Sequence, residues 1–143
     1  MNIEKKKLIN AIKYINSNVE DMSIMKLNKL LFLFDLNTFK ASGHVATGQW
    51  YFTESNGPAL QAVNEMIKSN DKEFFENELS FNVKSQDNYF ENISIEASNQ
   101  FDDIYFTEEQ VEILEDVIEE LGKMTAQELS DYTHKSASVY NSA

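Results

Sequence analysis

The run from Ile24 to Phe39 is apolar almost all the way round a helix. Ile24, Leu27, Leu30, Leu31 and Phe34 recur at helical spacing on one face, and Phe32, Leu33 and Leu36 lie off that face. Such a helix would expose apolar surface on every side if it stood alone, so the rest of the chain must wrap it. Lys26, Lys29 and Asp35 interrupt the run, and it is too short to span a bilayer comfortably, which predicts a central buried helix. Asp21 or Ser23 is placed to cap its start. Ala41-Ser42-Gly43 is placed to stop it, because glycine takes the left-handed conformation common at helix ends.

The flanking segments supply the wrapping. Leu8, Ile12, Ile15 and Val19 predict an amphipathic surface helix with Glu4 and the early lysines on its other face. After Gly48, the run Gln49-Trp50-Tyr51-Phe52-Thr53 is aromatic and β-branched and predicts a short strand. Ser55-Asn56-Gly57-Pro58 predicts a turn, with Pro58 where a first helical residue is tolerated. Leu60, Val63, Met66 and Ile67 then predict a third helix. The period changes to alternation at Leu79, Phe81, Val83 and at Ile93, Ile95, Ala97, which predicts a hairpin with a longer loop. Thr107 with Gln110 and Thr125 with Glu128 are capping boxes. The first opens a helix carrying Val111, Leu114, Ile118 and Leu121 and ending at Gly122. The second opens a shorter one with Leu129 and Tyr132. The predicted fold is α+β: one mainly helical domain over residues 1–143, with a central buried helix and a small antiparallel β-element.

At 143 residues one core is the default, and 42% hydrophobic residues suffice to build it despite a formal charge of -12. The chain has no cysteine, which removes disulfides, zinc–thiolate sites and thiol nucleophiles and fits a reducing cytoplasm. No secretory h-region follows Lys5, Lys6 and Lys7. Every basic residue is Lys, and most precede Ser42, whereas the remainder of the chain is acidic. Direct DNA recognition is disfavoured, since the commonest base contact is a bidentate Arg and the overall field repels phosphate.

No catalytic constellation is legible. His44 and His134 lie far apart with no metal-ligand or His–Asp spacing around either; His134 reads as an imidazole bonded to backbone near a helix end or packed on an aromatic ring rather than as a catalytic base, and His44 as a solvated loop residue. Gly43 to Gly48 lacks the phosphate-loop pattern, and no serine sits in a nucleophile elbow. The carboxylates from Glu108 to Glu120 lack the loop spacing of a calcium site and read as a solvated helix face. Trp50, Tyr51 and Phe52 are of the residue types enriched in binding hot spots, although core filling explains them as well. No cofactor is expected.

Taken in order, Met25-Lys26-Leu27-Asn28-Lys29-Leu30-Leu31-Phe32-Leu33-Phe34-Asp35, Gly43, Thr47-Gly48, the aromatic strand, Gly57-Pro58 and Leu129-Ser130-Asp131-Tyr132-Thr133-His134 resemble the Panacea domain, the SocA-like antitoxin family. The likeness runs from about Ile12 to His134 and rests on several short motifs in a fixed order. It implies a mainly helical domain of bacterial or prophage origin that neutralises a toxin by direct binding, with one branch of the family delivering its toxin to a protease. Gly57-Pro58 and Thr133-His134 match family motifs. Family members commonly continue with a tryptophan-containing segment where this chain has Ser136 to Tyr140.

The expectation is therefore a cytoplasmic, non-enzymatic antitoxin whose toxin is encoded next to it, with no membrane partner. The candidate contact residues are Lys26, Lys29, Trp50, Tyr51, Gly57, Pro58 and His134. The alternative is a phage-encoded acidic inhibitor, an anti-defence or DNA-mimic protein working through the Glu108–Glu120 face.

Overall fold

The computed structural model describes residues 2–47, 52–53, 57–58, 61–84 and 92–132. Helix α1 (Ile3–Asn18) leads into α2 (Ile24–Ser42). A ribbon of β1 (Phe52–Thr53) and β2 (Gly57–Pro58) follows, then α3 (Gln61–Lys68), the hairpin of β3 (Leu79–Val83) and β4 (Ile93–Ala97), a 3₁₀ turn (Asp103–Tyr105), α4 (Glu108–Leu121) and α5 (residues 126–132). The fold is mainly helical α+β, as the sequence pattern predicts.

Helix α2 is the axis of the core. Leu27, Leu30, Leu31 and Phe34 are fully buried, and Phe32, Leu33 and Leu36 on the other faces are nearly so. Ser23 caps it, its side chain accepting from the Lys26 N–H, while Asp21 instead takes a positive φ of 54° in the preceding bend. Gly43 ends it at φ 82°, a conformation that a Cβ makes costly. Helix α4 lays Leu114, Val117, Ile118 and Leu121 against this axis, and α5 adds Leu129.

The hairpin pairs Phe81 with Ile95 and Val83 with Ile93, so Leu79, Phe81, Ile93 and Ile95 face the core. An isolated two-stranded sheet is marginal, and here both outer edges are tied. Asn70 Oδ1 accepts from the Phe81 N–H. Beside β4, the Ile93 N–H donates to the Met22 carbonyl and Asn16 Nδ2 donates to the Ile95 carbonyl.

Several expectations need correction. Helix α1 is not a surface helix with its lysines outward: the stretch from Leu8 to Lys13 is buried on every side. The hairpin and the 3₁₀ turn cover its second face. There Asn10 Oδ1 accepts from the Asp102 N–H, and Lys13 pairs with Glu78. Pro58 does not open a helix. It pairs with Phe52 in β2, and α3 starts at Gln61; proline is tolerated in so short a strand because it has no N–H to satisfy. Gly122 does end α4, but in the right-handed region, at φ -63° and ψ -22°. Its role is space: a Cβ would come 2.5 Å from the Ile118 carbonyl oxygen and 3.1 Å from Val19 Cγ2. Of the two apolar residues read on α5, Leu129 is buried and Tyr132 is exposed.

Candidate functional site

The two ends of α2 carry different chemistry. At its head, Lys26 is buried, and its ammonium donates to the Glu20 carbonyl at 3.2 Å. Burial pushes its pKa down, against the opposing fields of Asp21 and Glu20. It borders a recess of about 350 Å³ shared with Asn18, Glu20, Asp21, Gly122 and Lys123. Lys29, one turn on, is half-buried. Burial lowers its pKa too, and no hydrogen bond or ion pair to its ammonium is present among the described residues. A partly desolvated lysine with no counter-ion among the described residues is unusual in so acidic a chain.

Between them Asn28 reaches α3, its Nδ2 donating to Asn64 Oδ1 at 2.8 Å. Towards the tail of α2, Asp35 is buried. Its Oδ1 accepts from the Ala46 and Thr47 N–H groups at 2.8 and 2.9 Å, and its Oδ2 accepts from the Thr47 hydroxyl. Thr47 is itself fully buried. The sequence contains Asp35 and Thr47 within the motifs quoted above, but nothing in their spacing announces that they bond.

The ribbon β1–β2 starts five residues after Thr47, with Phe52 opposite Pro58 and Thr53 opposite Gly57. Gly57 and Pro58 thus form a strand rather than a free turn. No hydrogen bond or ion pair among the described residues joins Lys26 or Lys29 to them. Trp50, Tyr51 and His134 lie outside the described residues. His44 is exposed just after α2.

Along α4, Glu108, Glu109, Glu112, Glu115, Asp116, Glu119 and Glu120 are all exposed. Their field reaches inward: the pKa of Tyr14 is raised first by burial and then by Glu115 and Glu119. Among the described residues no group of His, Asp and Glu side chains is placed to hold a metal ion. No helix among them is long and apolar enough to cross a membrane.

Residues 27–138 match the family model for the antitoxin SocA-like Panacea domain. The chain belongs to that family. No curated protein and no solved structure matches the chain. The Panacea match takes in Lys29, Asp35, Thr47, Trp50, Tyr51, Gly57, Pro58 and His134, while Lys26 and the whole of α1 precede it. Helix α1 is nonetheless part of the Panacea core here, since Leu8, Ile9, Ala11, Ile12 and Ile15 have no exposed surface.

A second polar cluster holds α1 in place, and sequence spacing gave no sign of it. Lys13 donates to Glu78 at 2.6 Å and to Asn99 Oδ1 at 2.5 Å. Lys6 contacts the other Glu78 oxygen at 3.1 Å and Glu76 at 2.5 Å. Hydrogen bonds donated to the Glu76 and Glu78 carboxylates hold the Lys6 ammonium well above the usual lysine range. Burial works against the charge on Glu78, but the bonds from Lys13 and Lys6 together outweigh it and hold its carboxyl below the usual range.

Proposed function

We propose that this Panacea protein is the antitoxin of a bacterial or prophage toxin–antitoxin pair and neutralises its toxin by binding it directly in the cytoplasm. The observation that carries the reading is the family match across residues 27–138. The geometry supports it at residue level. Lys29 is a desolvated ammonium with no counter-ion among the described residues, and an acidic group on a partner would complete it. The ribbon of Gly57 and Pro58 lies in the segment with Trp50 and Tyr51, which supplies the aromatic anchor that protein interfaces favour. Inhibition by contact needs no reaction chemistry, so we read the protein as a binder and not an enzyme.

The test is co-expression with the product of the neighbouring open reading frame in a growth assay, using wild type and Lys29→Met, Trp50→Ala and His134→Ala. Growth arrest by the neighbour alone and rescue by the wild type support the reading, and the variants locate the contact. A harmless neighbour refutes it. The toxin's half-life in the same cells separates blocking, which leaves it unchanged, from delivery to a protease, which shortens it.

A second reading, an acidic inhibitor of a nucleic-acid-handling protein, is favoured by the exposed carboxylates of α4. It requires binding that weakens steeply with salt and is abolished by charge reversal at Glu112, Glu115 and Glu119.

A further inference from the structure

Asn28 and Asp35 stand seven residues apart, two helical turns, and therefore project from about the same side of α2. Asn28 holds Asn64 of α3, and Asp35 holds the backbone of Ala46 and Thr47. The chain between Thr47 and Asn64 contains the ribbon, Gly57-Pro58 and the aromatic pair Trp50-Tyr51. Both ends of this excursion are thus fastened to one face of the central helix.

The Asp35 fastening is built at a cost. A buried carboxylate is expensive, and a position in the middle of an otherwise apolar helix is filled more stably by leucine or isoleucine. What the carboxylate adds is direction. After Gly43 reverses the chain, residues 44–47 run back alongside the helix. Asp35 lies eight residues before Gly43, about 12 Å down the axis, and it fixes where that return ends. One oxygen takes two consecutive N–H groups and the other takes the Thr47 hydroxyl, so both the position and the orientation of the backbone at Thr47 are set. From there only five residues, at most about 18 Å of extended chain, lead to Phe52.

We infer that Asp35 and Thr47 are positioning residues for partner binding: their clasp fixes the chain five residues before the β1–β2 ribbon and so sets where that ribbon stands for a toxin to meet. The inference rests on the antitoxin reading for its partner, but the clasp itself is testable without one. The chain has a single tryptophan, Trp50, three residues beyond Thr47, so its fluorescence reports the segment alone.

The experiment compares wild type with Thr47→Val, which keeps the shape but removes the hydroxyl, with Thr47→Ser, which keeps the hydroxyl, and with Asp35→Asn. Each is followed by circular-dichroism melting, acrylamide quenching of Trp50, and affinity for the neighbouring gene's product. Thr47→Val is expected to melt cooperatively, to change Trp50 quenching, and to lose about tenfold or more in affinity, the equivalent of one charge-assisted hydrogen bond. Thr47→Ser is expected to restore both readouts. Should Thr47→Val fail to melt cooperatively, Asp35→Asn, which still offers a carbonyl oxygen to the two N–H groups, provides the same comparison. Unchanged quenching and unchanged affinity in a folded clasp variant overturn the inference. A wild type that binds no neighbour refutes the antitoxin reading instead, and altered Trp50 quenching then still establishes the clasp.

Discussion

Glu78→Gln should destabilise this protein markedly, because one carboxylate serves two lysines. Glu78 is the hub between α1 and the hairpin: Lys13 lies 2.6 Å from one oxygen and Lys6 lies 3.1 Å from the other, with side-chain exposures of 3% for Lys13, 18% for Lys6 and 19% for Glu78. Removing one partner of a fully buried pair costs about 3–5 kcal/mol, because the other charge is left desolvated and unpaired. Three facts lower the figure here. Glu78 keeps some contact with solvent, Lys6 retains Glu76, and a glutamine oxygen still accepts one hydrogen bond from Lys13. The expected loss is therefore about 2–3 kcal/mol. With an unfolding entropy of roughly 2 cal/mol/K per residue, a chain of this length has about 0.3 kcal/mol/K in total, so the melting temperature should fall by about 7–10 °C.

The pH dependence carries the same signature. The carboxyl of Glu78 lies below its ordinary value of 4.5 in the folded state, so its contribution is present above that pH and is lost as pH falls through the depressed value. The ammonium of Lys6 is raised above 10.5, so its contribution is complete below that pH and is lost only as pH rises through the elevated value. Near neutrality the network is intact at both ends. Thermal melts of Glu78→Gln, Lys13→Met and the double variant at pH 7, repeated at acid pH, test this. The double variant should recover part of the loss, since no buried charge is then left unpaired. A Glu78→Gln protein that melts within a degree of wild type, or a double variant whose losses simply add, would refute the argument.

Lys29→Met should raise the melting temperature slightly, by removing a desolvated charge while keeping the stem, and should weaken neutralisation in the growth assay; unchanged neutralisation would exclude Lys29 from the contact. Gly122→Ala should lower stability by about 1–3 kcal/mol in urea unfolding, because the new Cβ meets the Ile118 carbonyl and Val19 where α4 ends. Thr107→Ala should cost about 1 kcal/mol by the same measurement, through loss of the bond that Thr107 Oγ1 accepts from the Gln110 N–H at 3.1 Å. Deleting residues 1–18 should abolish cooperative folding, although the family match begins only at Leu27.

Local chemistry wrote much of this fold directly. The all-round apolar pattern from Ile24 makes α2 the core whatever else happens, and both capping boxes form as read: Thr107 with Gln110, and Thr125 with Glu128. The alternation at Leu79–Val83 and Ile93–Ala97 determines the hairpin and its register, since one face of each strand must be buried. The ordered motifs around α2 likewise sufficed to identify the Panacea family. These signals are local, and a residue and its immediate neighbours decide them.

Tertiary structure decided what depends on distant partners. Lys13 and Asn10 look like solvent-facing residues of an amphipathic helix, and only the arrival of Glu78, Asn99 and Asp102, far along the chain, makes their burial tolerable. Asp35 looks like an interruption in an apolar run until the chain folds back and offers it two backbone N–H groups and a hydroxyl. Pro58 carries the same turn signal in either setting, and pairing with Phe52 makes it a strand. A polar group's place in the fold is set by the partner that satisfies it, and sequence spacing does not encode a partner brought near only by the packing of other elements.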